Sequence, residues 1–308
     1  MFLTYWFPDQ HRARIMSGFA LALPLAVATG APISTALLEL NGVGGLAGWQ
    51  WMYIAEAAPT IVIGFLILFY VTDRPAEARW LSTPQREWLA ATLLEERRQV
   101  EARRKVSVWR SFWDPKILLL TVNYLGIVTP SLGMLLFVPQ IVKELGISNM
   151  QVGWVTMFLY ICGAISMVSW GWVSDQMGER RWNLFWACVV ATVGLMIGGY
   201  FVGSWWSLAG LAIAVVGFYG TKGPFWSMPP MLLTGTAAAS GIAWINSLGN
   251  LGGFFGPTIV GWAKDFTHSF SGGLYCLAGF ALAAAVVAGF WLEIPRHAIA
   301  REAVEPAE

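Results

Sequence analysis

Long apolar runs separated by short polar interruptions fill most of this chain. Stretches at approximately 14–38, 50–72, 116–141, 151–174, 182–203, 206–231, 236–262 and 269–293 each reach the roughly 20 apolar residues that a helix needs to cross a bilayer core. No segment shows the ten-residue alternation of a membrane barrel, so the pattern predicts an all-α membrane protein with eight transmembrane helices. Residues 73–115 form the longest polar interruption. Ser82-Thr83-Pro84 there offers an N-cap with proline in the first turn. Trp88, Leu89, Leu93 and Leu94 follow at helical spacing beside Glu95, Glu96, Arg97 and Arg98. That pattern predicts a helix lying at the membrane surface; a solvated linker with transient helix is the other reading. The expected divisions are therefore 1–13, a basic turn; 14–72, two spans; 73–115, a cytoplasmic loop; 116–293, six spans; and 294–308, a tail.

Composition agrees with the pattern. The 308 residues are 56% hydrophobic and 12% charged, where ordinary globular domains carry about 25% charged residues. Mean hydropathy is +0.58. A net charge of +1 offers no surface for nucleic acid. Several tryptophans (Trp49, Trp51, Trp172, Trp182, Trp205, Trp206, Trp262 and Trp291) sit at segment ends, where an amphipathic ring suits the headgroup level.

Charge placement predicts orientation. If the loop before the first span is cytoplasmic, that side receives sixteen of the 19 basic residues, including the ten from Arg74 to Lys116. The outer side receives Lys143 and Lys264, and Lys222 is left inside the membrane. Positive residues gather on the cytoplasmic side of membrane proteins, so the C-terminus is expected there.

The candidate chemistry gathers between Thr221 and Pro257. Lys222 stands in an apolar background beside the helix-breaking Gly223-Pro224, with Trp226 one turn further on. Asn246 and Asn250 follow, one turn apart, in a run of small residues that ends in Gly249, Gly252, Gly253, Gly256 and Pro257. Rare polar groups within a membrane mark solute paths, and small residues let helices touch and slide. Lys222 either meets a solute carboxylate, or pairs with a backbone carbonyl, or snorkels towards an interface. Asn123 and Tyr124 in the 116–141 stretch could hydrogen-bond a solute or a neighbouring helix. Glu56 is a possible buried carboxylate, functional or structural. Cys162, Cys188 and Cys276 lie in apolar runs without metal-ligand spacing, so no metal site is expected.

Near the end of the 151–174 stretch, Gly171, Asp175, Gly178, Arg180 and Arg181 form a run that resembles the signature between paired helices of the major facilitator superfamily. Gly171 would permit close helix contact, Gly178 would supply the turn, and the arginines could bridge neighbouring helix ends. Gln176 replaces the basic residue usual in that signature. Tyr5-Trp6-Phe7-Pro8 with Arg12-Ala13-Arg14, Gly48-Trp49-Gln50-Trp51, Asp73-Arg74-Pro75, Lys222-Gly223-Pro224-Phe225-Trp226 and the run from Asn246 to Pro257 are similar to the anion:cation symporter family within it, the phthalate, tartrate and 4-hydroxyphenylacetate permeases.

The resemblance implies a major facilitator fold of twelve spans in two six-helix bundles. On that template residues 1–8 end span four, 14–72 are spans five and six, and 116–293 are spans seven to twelve, a complete C-terminal bundle. Spans one to three fall outside this chain, which is expected to be a truncated and, alone, inactive form. The implied activity is secondary transport of a small organic anion, an aromatic or hydroxy-carboxylate, by alternating access in the bacterial inner membrane. A proton or another cation would be the coupling ion, with no other cofactor, and the protein would be monomeric. Lys222, Trp226, Asn123, Tyr124, Asn246 and Asn250 are the expected solute-binding residues, and Gly171, Asp175, Gly178, Arg180 and Arg181 the expected gating residues. The alternative is a membrane-embedded lipid-modifying enzyme. Its chemistry would need clustered acids or a His/Asp pair, whereas His11, His268 and His297 are scattered through loops and tail.

Overall fold

The computed structural model describes residues 6–7, 9–78, 80–102, 113–232 and 236–292. The expected end of span four and the C-terminal tail lie outside the described residues, apart from Trp6 and Phe7. The described chain is helical throughout. Helices α1 (Asp9–Leu38) and α2 (Gly48–Tyr70) are followed by α3 (Thr83–Ala102) in the polar segment. The larger bundle comprises α4 (Pro115–Lys143), α5 (Asn149–Met177), α6 (Arg181–Tyr200), α7 (Trp205–Gly220) and α8 (Lys222–Leu232). It continues through α9 (Thr236–Gly249), α10 (Gly252–Thr267) and α11 (Ser271–Val286), which runs into a π-turn at Val287–Trp291.

Local chemistry explains the helix starts. Asp114 accepts from the Lys116 amide at 2.9 Å, with Pro115 in the first turn of α4. Ser148 and Gln151 form a reciprocal capping box at the head of α5. Gly178 closes α5 in the left-handed region at φ 60°, a conformation glycine adopts without steric cost.

Among the described residues seven helical runs are long and apolar enough to span a membrane. The eighth expected stretch, 236–262, differs: Asn250 and Leu251 divide it into α9 and α10. Thr221 similarly interrupts the run from Trp205 to Leu232. Both breaks fall where glycines lower helix stability and where a proline shortly after (Pro224, Pro257) removes an amide donor from the helical ladder.

Helix contacts in the bundle are made through bare backbone. A Cβ added to Gly194 of α6 would lie 2.2 Å from the Ala214 amide nitrogen of α7, and one on Gly217 of α7 would lie 2.3 Å from that of Ala191. Helix α10 presses on α4 in the same way, since a Cβ on Gly256 would stand 2.0 Å from the Thr129 carbonyl oxygen. Lipid tails are as apolar as leucine, so close van der Waals approach is what holds membrane helices together. The buried side chains form two clusters. One contains Ile117, Leu120, Leu184, Phe225 and Leu292 near the end that carries Arg180 and Arg181, the basic end. The other contains Val142, Val152, Leu195, Leu211 and Phe270 towards the opposite end.

Helix α1 docks on α5 and brings Ala28 into the second cluster. The contact is tightest at Gly153, where a Cβ would meet Thr35 Oγ1 at 2.2 Å and Pro32 Cα at 2.9 Å. Replacing Gly194 by valine is expected to lower the melting temperature in detergent by several degrees, because overpacking costs about 1–3 kcal/mol. Gly279→Ala, where a Cβ meets nothing within 4 Å, is expected to leave the melting temperature unchanged. A fluorescence thermal-shift measurement on both variants checks the pair.

Candidate functional site

The interruption at Thr221 positions the membrane lysine. Thr221 is fully buried and its hydroxyl donates to the Phe218 carbonyl at 2.7 Å. Its backbone (φ −70°, ψ −25°) keeps the chain on a helical path into α8, so Tyr219, Lys222 and Trp226 share one side of the span. Pro224 offers no amide to the Gly220 carbonyl, and Phe225 closes the junction by donating to Thr221 at 2.9 Å. Gly223 packs on α5: a Cβ there would lie 3.1 Å from Gly171 Cα. A Cβ on Gly171 itself would meet nothing, so the close approach expected at Gly171 depends on the bareness of Gly223.

Lys222 is half-buried, and its Nζ stands 5.9 Å from the centroid of the Tyr124 ring. Tyr124 stacks on Phe225 (centroids 4.9 Å, planes 16° apart) and meets Trp226 edge-on at 5.1 Å. The Tyr124 ring rests on the bare end of α9, since a Cβ on Gly249 would fall 2.1 Å from Tyr124 Cδ1. Helices α4, α8 and α9 thus meet around one ammonium and three aromatic rings. Among the described residues no carboxylate pairs with Lys222. A cation over a ring gains about 0.5–2 kcal/mol, which leaves most of its demand for an anion or water unmet.

The other expected solute-binding residues are placed differently. Asn123, one residue from Tyr124, is fully buried and faces α11, where its Nδ2 donates to the Ala284 carbonyl at 2.7 Å. Its Oδ1 has no partner among the described residues. Asn246 and Asn250 are exposed at the α9–α10 break and bonded to each other: Asn250 Nδ2 donates to the Asn246 carbonyl at 2.8 Å and to Asn246 Oδ1. The structure therefore brings together Lys222, Tyr124 and Trp226, while Asn123 joins two helices. Glu56 accepts from the Ser34 hydroxyl and ties α2 to α1.

The signature run is a knot at the basic end. Arg180 is buried and donates to Asp175, and to Ser174 at 3.2 Å, whereas Asp175 is largely exposed. Arg181 reaches across to the π-turn after α11, donating through Nε to Ala288 at 3.2 Å and through Nη2 to Gly289. A π-turn leaves carbonyls off the α-helical ladder, and this arginine satisfies two of them. Its partner was not legible in the sequence, which has no marker for a π-turn.

A second polar group was also missed. Tyr160 of α5 and Tyr219 of α7 are buried and meet edge-on at 6.1 Å. With Ser131 of α4 and Leu23 of α1 they line a cavity of about 20 Å³. The sequence signal was the i, i+3 spacing of Tyr219 and Lys222 on one helical side.

A multi-pass helical membrane protein with a lysine set among its packed helices is the class this architecture defines. The profile of the Major Facilitator Superfamily matches residues 1–257 and 132–307, and the chain belongs to that family. A protein of Agrobacterium vitis named "Putative tartrate transporter" is 42% identical over 287 residues, covering 93% of this chain and 66% of that protein. A quinolone resistance transporter of Acinetobacter baumannii is 31% identical over 277 residues, covering 90% of this chain and 64% of the relative. The chain thus spans slightly less than two thirds of the length of these relatives. Among solved structures, the proton:xylose symporter XylE superposes with a TM-score of 0.66 at 14% identity, covering 92% of this chain and 65% of that one, a likeness of fold.

Replacing Asn123 by alanine is expected to cost about 1 kcal/mol and a few degrees of melting temperature, because it removes an interhelical hydrogen bond. Asn250→Ala, at an exposed position, is expected to shift the melting temperature by no more than about 1–2 °C. Thermal unfolding of both variants in the same detergent checks the contrast.

Proposed function

We propose that this chain belongs to a secondary carrier for small organic anions, aromatic or hydroxylated carboxylates, working by alternating access. It is a carrier and not an enzyme, resident in a bacterial inner membrane with the 73–115 segment and the C-terminus in the cytoplasm. A proton or another cation is the coupling ion, and the working form is a monomer. The observation that carries this reading is the ammonium of Lys222, held over Tyr124 with no carboxylate partner among the described residues. A cation kept at membrane depth without a counter-charge is stabilised by an anionic solute and by the water that accompanies it. Trp226 and Tyr124 supply flat apolar walls for the body of the solute. The name of the Agrobacterium relative adds tartrate as the first solute to test.

Movement between the two access states involves the α1–α5 contact at Gly153 and the Arg180–Asp175 pair at the opposite end of α5. These sites lie at the two ends of the same helix, so one can tighten as the other loosens. The test is tartrate binding to the purified chain in lipid nanodiscs, followed by quenching of tryptophan fluorescence. Lys222→Ala is expected to weaken binding roughly 10- to 100-fold, the range of a hydrogen bond to a charged group. Lys222→Arg, which keeps the charge, is expected to retain most of the affinity. Equal binding by native protein and Lys222→Ala would remove the lysine from the site.

A further inference from the structure

Two tyrosine hydroxyls and a serine hydroxyl, brought together from three helices, are left without hydrogen-bond partners. Tyr160 is 3% exposed and Tyr219 7% exposed, while Ser131 is half-buried, and no hydroxyl of the three bonds to another described residue. None of the three oxygens is sealed from solvent, so the bond that each lacks within the protein is made to water or to an occupant of the cavity they line. The cavity, about 20 Å³, has room for a single water-sized group. Its remaining walls are apolar, Leu23, Leu132, Met134 and Phe218 among them, and no carboxylate lines it. Such walls disfavour a metal cation or a charged carboxylate and suit a neutral hydroxyl.

The place of this cavity relative to Lys222 gives the occupant its identity. Tyr219 precedes Lys222 by three residues, one turn further from the basic end on the same side of the span. Ser131 follows Tyr124 by seven residues, two turns along the same side of α4. The lysine–aromatic group and the hydroxyl group therefore stand as successive stations between α4 and the α7–α8 span, the second one deeper.

We propose that Tyr160, Tyr219 and Ser131 form a hydroxyl-reading subsite: they bind a hydroxyl of the solute whose carboxylate sits on Lys222, and so select hydroxy-carboxylates over their deoxy analogues. The inference rests on the anion-carrier reading of Lys222 and adds to it which anions are preferred. The hydroxyl replaces the water that fills the cavity otherwise. A site built to bond a hydroxyl discriminates strongly against an analogue that lacks it, because its own polar groups are then left unpaired.

The experiment measures the affinities of tartrate, malate and succinate for the purified chain in nanodiscs. These dicarboxylates carry two, one and no hydroxyls. Native protein is expected to bind succinate at least tenfold more weakly than the tighter of the two hydroxy-acids. In the double variant Tyr160→Phe, Tyr219→Phe, which keeps the rings and removes only the two oxygens, the ratio is expected to fall below about twofold. Lys222→Ala is expected to weaken all three acids together, so the two sites produce different patterns. A double variant that keeps the native preference would overturn the subsite and leave the cavity to water alone. Native protein that binds all three acids equally well would overturn it too, with the lysine reading intact. Native protein that binds none of them would remove both readings.

Discussion

An ammonium group inside a bilayer must be given water, a counter-charge or a short route to the surface, and the architecture around Lys222 is arranged by that demand. A charged lysine at the centre of a spanning helix costs about 2.5–3.5 kcal/mol on insertion scales. Here the ring of Tyr124 recovers part of it, and no acidic side chain among the described residues recovers the rest. Tyr124 is itself held by Phe225 and Trp226 and by the bare end of α9 at Gly249, so the lysine's setting draws on three helices at once. An unmet charge of this kind suits a protein whose ligand arrives and leaves.

On the proposed carrier reading the same helices must move, and their contacts are suited to sliding. Backbone touches backbone at Gly194 and Ala214, at Gly217 and Ala191, and at Gly256 and Thr129. The interruptions at Thr221 and at Asn250-Leu251 divide two spans near the lysine site into shorter rods. Gly223, beside the lysine, packs against Gly171 of the arginine-rich signature run. Lys222 and the knot at the basic end of the bundle are therefore neighbours along one line of contact, with Arg180 and Arg181 anchoring its far end to α5 and to the π-turn.

Most of the spans were legible in the sequence because hydropathy reports length directly; the divisions at Thr221 and at Asn250-Leu251 were not, although glycine and proline nearby weaken a helix there. The facing of each helix was not. A span is apolar on its packed side and apolar on its lipid side, so no stripe of residues shows which way it points. Asn123 and Tyr124 make the difficulty concrete: adjacent in sequence, both polar, one bonds α11 and the other meets the lysine. The expectation for Lys222 and Trp226 followed from their own spacing on one helix. The cluster of Tyr160, Tyr219 and Ser131 escaped because its members come from three separate spans, and only the packing of those spans brings them together. Glu56 offered a charge inside a span but no hint that Ser34 of the preceding helix would be its partner.

The central claim is that position 222 faces a water-filled crevice. In a chain with Cys162, Cys188 and Cys276 replaced by serine, cysteine placed at Lys222 can be challenged with a charged, membrane-impermeant thiol reagent, and cysteine at the exposed Val193 of α6 serves as the lipid-facing comparison. Rapid modification at 222 with none at 193 is the predicted result. Modification of both positions only by a lipid-soluble maleimide would place the lysine against hydrocarbon and contradict the account.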